Sequence, residues 1–93
     1  MRIQEKPIGT FKVKRCAYIE YGVEIPGVIP GTVTSDGNLG VTLEGFTFSE
    51  KSSGHDDPNG YWVVSGFSPD NTSCVASTFG DERKIHLYGL EKI

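Results

Sequence analysis

Apolar and polar side chains alternate on both sides of Ser35-Asp36-Gly37-Asn38. Thr32, Val33 and Thr34 precede that cluster; Leu39, Gly40, Val41, Thr42, Leu43 and Glu44 follow it. A two-residue rhythm flanking a Gly/Asn/Asp cluster predicts a β-hairpin, with strands near 32–35 and 39–44. Phe46 and Phe48 continue the rhythm around Thr47, so the second strand is expected to run to residue 48, with Gly45 permitting a bend.

The same rhythm recurs along the chain. In residues 11–21, Phe11, Val13, Ala17, Ile19 and Tyr21 share one parity, and Lys12, Lys14, Cys16, Tyr18 and Glu20 share the other. Arg15 falls on the apolar parity, which a bulge or a snorkelling side chain would explain. Pro26-Gly27 and Pro30-Gly31 mark residues 22–31 as loop or edge. Residues 49–60 form the longest polar loop. Strands are expected again at 61–67, 73–79 and 84–88, and the chain closes at 89–93 in a short 3₁₀ turn. No segment holds an apolar period of 3.6 residues long enough for a helix of about ten.

Five or six short strands at spacings of about ten residues predict an all-β fold. A small antiparallel barrel removes exposed edges best, with an OB-like barrel or a small sandwich as the alternatives. Pro30-Gly31-Thr32-Val33-Thr34, then a tight turn, then Gly40-Val41-Thr42-Leu43-Glu44, with Leu87-Tyr88-Gly89-Leu90-Glu91 near the end, resembles SH3-like barrels. The chain departs from that pattern in the insertion at 49–60 and the extra strand near 73–79. The resemblance implies topology and carries over no functional residue.

At 93 residues the chain is expected to be one domain, 1–93, burying roughly 60–65% of its unfolded surface. Ten aromatic residues set it apart from disordered chains, and its 12 glycines and 5 prolines punctuate apolar runs without a period. No run approaches the roughly 20 apolar residues of a membrane span, and residues 1–7 lack the apolar stretch of a signal peptide. A cytoplasmic location is the expectation. There, Cys16 and Cys74 are read as free thiols, and neither belongs to a CxxC pair of the kind that binds zinc. Asn71-Thr72-Ser73 fits a turn with Ser68-Pro69-Asp70 better than a glycan acceptor.

The net charge of −3 is unevenly spread. Arg2, Lys6, Lys12, Lys14 and Arg15 crowd the first fifteen residues, and Arg83, Lys84 and Lys92 the last eleven; the span 16–82 holds ten carboxylates against Lys51. If the first and last strands are neighbours, these cations form one patch.

His55-Asp56-Asp57, with Asn59 nearby, is the cluster with most potential for metal or acid–base chemistry, and oxygen ligands of this kind suit calcium or magnesium. Its spacing is not that of a calcium loop, and Asp57-Pro58-Asn59-Gly60 is good turn chemistry. His86 alternates with Ile85 and Leu87, which puts it toward solvent. Cys16 stands near Lys14 and Arg15, cations that would activate a thiol, but no general base is evident. Phosphate-binding glycine loops, nucleophile elbows and HExxH are absent from the sequence. No cofactor or metal is therefore predicted, and the chain is not read as an enzyme.

The aromatic residues point to binding. Phe11, Phe46, Phe48, Phe67 and Phe79 fit buried strand faces, whereas Tyr18 and Tyr88 are harder to bury, and Tyr61 and Trp62 point to opposite faces. The expectation is a non-enzymatic module that binds a protein partner, in the manner of a phage or mobile-element accessory protein that inhibits a host factor. Its candidate contacts are Lys12, Lys14, Arg15, Tyr18, His55, Asp56, Asp57, Tyr61 and Trp62. The alternative is a barrel that binds nucleic acid through its basic N- and C-terminal strands, with Lys12, Lys14, Arg15 and Tyr18 of the first strand offering charge and stacking to a single strand, against which the net acidity weighs. A homodimer through an edge strand is compatible with either.

Overall fold

A computed structural model describes residues 7–50, 54–78, 80 and 82–93. Phe79, Lys51 and residues 1–6, with Arg2 and Lys6, lie outside the described residues. The fold is all-β: β1 (Ile8–Lys12), β2 (Arg15–Glu20), β3 (Val23–Ile25), β4 (Val28–Ile29), β5 (Thr32–Asp36), β6 (Gly40–Glu44), β7 (Thr47–Phe48), β8 (Gly60–Phe67), β9 (Ser73–Ser77), β10 (Arg83–Tyr88) and β11 (Glu91–Lys92). Nine of these form one antiparallel sheet in the order β11-β1-β5-β6-β8-β9-β10-β2-β3, and β4 pairs with β7. No ladder joins β11 to β3 among the described residues, so the expected five- or six-stranded closed barrel gives way to an open, many-stranded sheet. Residues 22–31, expected as loop or edge, hold β3, the edge strand of the large sheet, and the short β4, and the expected 3₁₀ turn at the C-terminus is β11, because Lys12 and Phe11 offer it a ladder.

The predicted hairpin is β5–β6, pairing Val33 with Leu43 and Ser35 with Val41. Its turn is fixed by side chains: Asp36 Oδ1 accepts from Asn38 N–H at 2.9 Å, and Ser35 Oγ from Gly37 N–H at 3.3 Å. Gly31 serves a close approach. A β-carbon there would collide with the Glu44 carbonyl and the Gly45 backbone.

The first strand changes face partway along. Phe11 and Val13 are buried, Lys14 and Arg15 are both exposed, and then Tyr18 is buried. Two outward residues in succession shift the parity by one, so Cys16, Tyr18 and Glu20 point inward and Arg15, Ala17 and Ile19 outward. This reverses the expected assignment beyond Val13. At the corner the Val13 N–H donates to Gly31 O at 3.1 Å and the Lys14 N–H to Tyr88 O at 3.0 Å. Phe11 faces Lys92 and Lys12 faces Glu91 before the corner, and Arg15 faces Tyr88 after it, so one register runs through the interruption. The two cation-rich ends of the sequence are thereby neighbours in one ribbon.

One contiguous core lies between the curved faces of the sheet, built on Trp62, Tyr18, Phe46, Leu43, Ile85 and Leu87. Each large side chain buried there contributes roughly 1.5–3 kcal/mol. The rings of Tyr18 and Trp62 meet edge-on, with centroids 6.2 Å apart. No helix among the described residues is long and apolar enough to cross a membrane.

Candidate functional site

Tyr18 is wholly buried, so its hydroxyl needs partners inside the protein. It donates to Glu20 Oε2 at 2.8 Å, lies 3.1 Å from the Asp56 carbonyl, and accepts from Arg83 Nη1 at 2.9 Å. Arg83 also donates to the Asp57 carbonyl at 3.1 Å, and its guanidinium sits 4.9 Å from the centre of the Trp62 ring. Burial raises the Tyr18 hydroxyl to about 12. Burial also pushes the Glu20 carboxyl upward, but hydrogen bonds from Tyr18, His55 and the Asp56 N–H outweigh it and leave Glu20 below the ordinary carboxylate range. The phenol therefore keeps its proton near neutral pH and directs it at these internal partners. The cluster fastens the loop before β8 to β2 and β10.

The predicted trio His55, Asp56 and Asp57 lies in that loop, exposed. His55 Nδ1 and Glu20 Oε1 are 2.8 Å apart, and the Asp56 N–H reaches Glu20 Oε2 at 3.2 Å. Asp57 Oδ1 accepts from the backbone and side chain of Asn59, at 2.8 and 2.7 Å. Asn59 in turn spans both backbone groups of Phe46, accepting at 2.8 Å and donating at 2.9 Å. Trp62 Nε1 closes the loop onto Pro58 O at 2.8 Å. These groups thus hold one another and the backbone. No three metal-binding side chains converge among the described residues.

The outward face of β2, β10 and β9 is built differently. Cross-strand pairing sets three rows on it: Arg15, Tyr88 and Ser73; then Ala17, His86 and Val75; then Ile19, Lys84 and Ser77. Glu24 of β3 extends the third row beyond Ile19. The Arg15 guanidinium lies 4.7 Å from the centre of the Tyr88 ring, and the rings of Tyr88 and His86 are near-parallel, 14° apart with centroids at 6.3 Å. Beside the third row, Ile19, Gly22, Glu82, Lys84 and His86 line a groove of about 360 Å³. Above it is the β2–β3 turn, where Tyr21 and Gly22 have φ of 50° and 80°. Two consecutive residues at positive φ in a two-residue hairpin loop are the signature of a type I′ turn, which favours Asn or Gly at its first position. Tyr21 occupies that position while 74% exposed.

Of the sequence-predicted contacts, Lys12, Lys14 and Arg15 are exposed on the first ribbon, and Tyr61 is 66% exposed. Tyr18 and Trp62 belong to the core, Trp62 with 1% exposure, and are corrected from surface contacts to core residues. Sequence reasoning passed over Tyr88, His86 and Lys84 as a set, though their i, i+2, i+4 spacing puts them on one strand face. It also passed over Arg83, whose parity matches the buried Ile85 and Leu87. Both cysteines are free thiols, and burial raises Cys16 to about 11 and Cys74 to about 12, the opposite of activation by Lys14 and Arg15.

No protein-family model, curated protein or solved structure matches this chain.

Proposed function

We propose that this protein is a non-enzymatic binding module that recognises a protein partner through the outward face of β2, β10 and β9. The carrying observation is the Arg15–Tyr88 stack beside His86, set among the small, half-buried side chains of Ala17, Val75 and Ser73. Arg and Tyr are among the side chains most often decisive at protein interfaces, and a small-residue surround lets a partner seal them from water. The polar cluster around Tyr18 contributes rigidity to this scaffold. Continuity of register through the β1–β2 and β10–β11 ribbon supports reading this face as part of one continuous sheet surface.

A photo-activated cross-linker at position 73 tests the reading in cells. The expected result is a covalent adduct that disappears with Arg15→Glu or Tyr88→Ala and does not form from position 39 on the β5–β6 turn. Absence of any adduct from position 73 overturns it.

A second reading draws on the same stack: single-stranded nucleic acid, its bases on Tyr88 and His86 and its phosphates near Lys14, Arg15 and Lys84. Glu24, Glu82 and the net charge of −3 weigh against it. Anisotropy of a labelled oligothymidine decides: binding that falls steeply with salt favours nucleic acid, and no binding at low salt excludes it.

A further inference from the structure

We infer that the partner fitted by this face is a second copy of the chain, packed face to face about a two-fold axis along the Ala17–His86–Val75 row. The inference rests on reading the face as a binding surface, and it adds the identity of what covers it. The face is polarised along the strands. Arg15 marks one end, with Lys14 exposed at the adjoining corner. Glu24 and Glu82 mark the other end, together with Lys84. The first and third rows are four residues apart along the strand, about 13 Å at roughly 3.3 Å per residue. A two-fold axis along the middle row exchanges the outer rows. Arg15 then meets the partner's Ile19 beside the partner's Glu24, and Tyr88 meets the partner's Lys84, a cation over an aromatic face. Among the described residues no carboxylate forms an ion pair with Lys14, Arg15 or Lys84 within one chain. The axis row sets Ala17 and Val75 on either side of His86, so the two His86 rings meet on the axis while the small flanking residues allow the sheets to approach to roughly the usual 10 Å. Such a contact is isologous and closes at two copies.

The β2–β3 turn provides a separate sign. Tyr21 is an exposed aromatic held at positive φ, a position where a bulky side chain is unfavourable. In the two-fold arrangement this tip lies past the third row, over the corner of the partner's Lys14. Its ring is then sheltered in the assembly though exposed in one copy.

Sedimentation equilibrium of the purified chain from about 1 μM to about 1 mM tests the inference. The expected result is a monomer–dimer equilibrium. Ala17→Arg weakens it at least about tenfold, because it inserts a charge on the axis; Arg15→Glu and Glu24→Lys each weaken it several-fold. The double variant Arg15→Glu/Glu24→Lys restores it to within about threefold, since the exchanged charges still meet. Tyr21→Asn weakens association while leaving the monomer's melting temperature unchanged or higher, as Asn suits the turn. A monomer throughout the range, or a dimer indifferent to Ala17→Arg, overturns the inference. The cross-linker at position 73 separates this failure from failure of the binding reading. An adduct of twice the chain mass from purified protein is required here. An adduct only with another protein in cells removes the second copy and leaves the binding surface standing.

Discussion

Arg83 Nη1 donates to the Tyr18 hydroxyl at 2.9 Å, across 65 residues of sequence. The same nitrogen reaches the Asp57 carbonyl, and the guanidinium plane covers Trp62. One side chain therefore ties β10, β2, β8 and the loop before β8. Arg83→Ala is expected to cost roughly 1.5–3 kcal/mol, the range for losing charged hydrogen bonds to groups that stay buried. Arg83→Lys recovers little of it, because an ammonium cannot stack on Trp62 and span two acceptors as a planar fork does. Urea unfolding followed by Trp62 fluorescence checks both variants.

Glu20 gives the fold a defined acid sensitivity. Its folded carboxyl titrates below its ordinary value of 4.5, so on acidification the unfolded chain takes up this proton first. The stabilisation from Glu20 is complete above about pH 4.5 and is lost as pH falls through the lower folded value. Asp36 and Asp70 are also held low, by hydrogen bonds from Asn38 and from Thr72 and Ser68 respectively, and act in the same direction. Glu20→Gln is expected to flatten the melting temperature between pH 5 and pH 3 relative to the parent, as about one titrating group is removed. A parent and variant that decline in parallel would show that Glu20 does not carry this dependence.

The two thiols are expected to be slow to react. Cys74 is buried in the core, Cys16 packs against it, and the Cys16 thiol donates weakly to Val28 O at 3.8 Å. With thiols at about 11 and 12, almost no thiolate is present near pH 8. A disulfide reagent at pH 8 should label both sites within seconds in denaturant and neither at that rate in the folded protein. Fast labelling of native Cys16 would show that the neighbouring Lys14 and Arg15 prevail over burial.

The hairpin was legible because its determinants are local: period-two alternation, and turn side chains that bond backbone groups two residues away. So was the split between Tyr61 and Trp62, since adjacent strand residues face opposite ways. The face change at Lys14 and Arg15 was not, because parity reasoning assumes a straight strand; Arg15 on the apolar parity was the trace it left. The inward turn of Tyr18 follows from that shift and was lost with it. A strand at Thr47–Phe48 after a bend at Gly45 was legible. Its pairing with β4, like the two-residue ladders at β4 and β11, depends on what the rest of the chain places beside it, which no short window contains. The outward stack was half legible: Tyr88 and His86 share a strand face by spacing, but Arg15 joins them only through pairing of residues 73 positions apart.

Asn59 offers the sharpest test of how the loop is held. Its side-chain oxygen accepts from Phe46 N–H and its amide donates to Phe46 O, so it imitates a strand neighbour at the point where β6 gives way to β7. Phe46 is in the core, so its backbone groups have no water to turn to. Asn59→Ala leaves a donor and an acceptor unsatisfied, and is expected to cost roughly 2–6 kcal/mol at about 1–3 kcal/mol for each orphaned group. Asn59→Asp keeps the acceptor for Phe46 N–H but puts a carboxylate beside Phe46 O and Asp57 Oδ1, two acceptors that the amide now satisfies. It should therefore be at least as damaging at neutral pH and recover toward the parent as the new carboxyl is protonated. Denaturant midpoints for the three proteins at pH 7 and pH 4 check the ordering. An Asp variant as stable as the parent at pH 7 would mean that the amide donor contributes nothing to holding the loop.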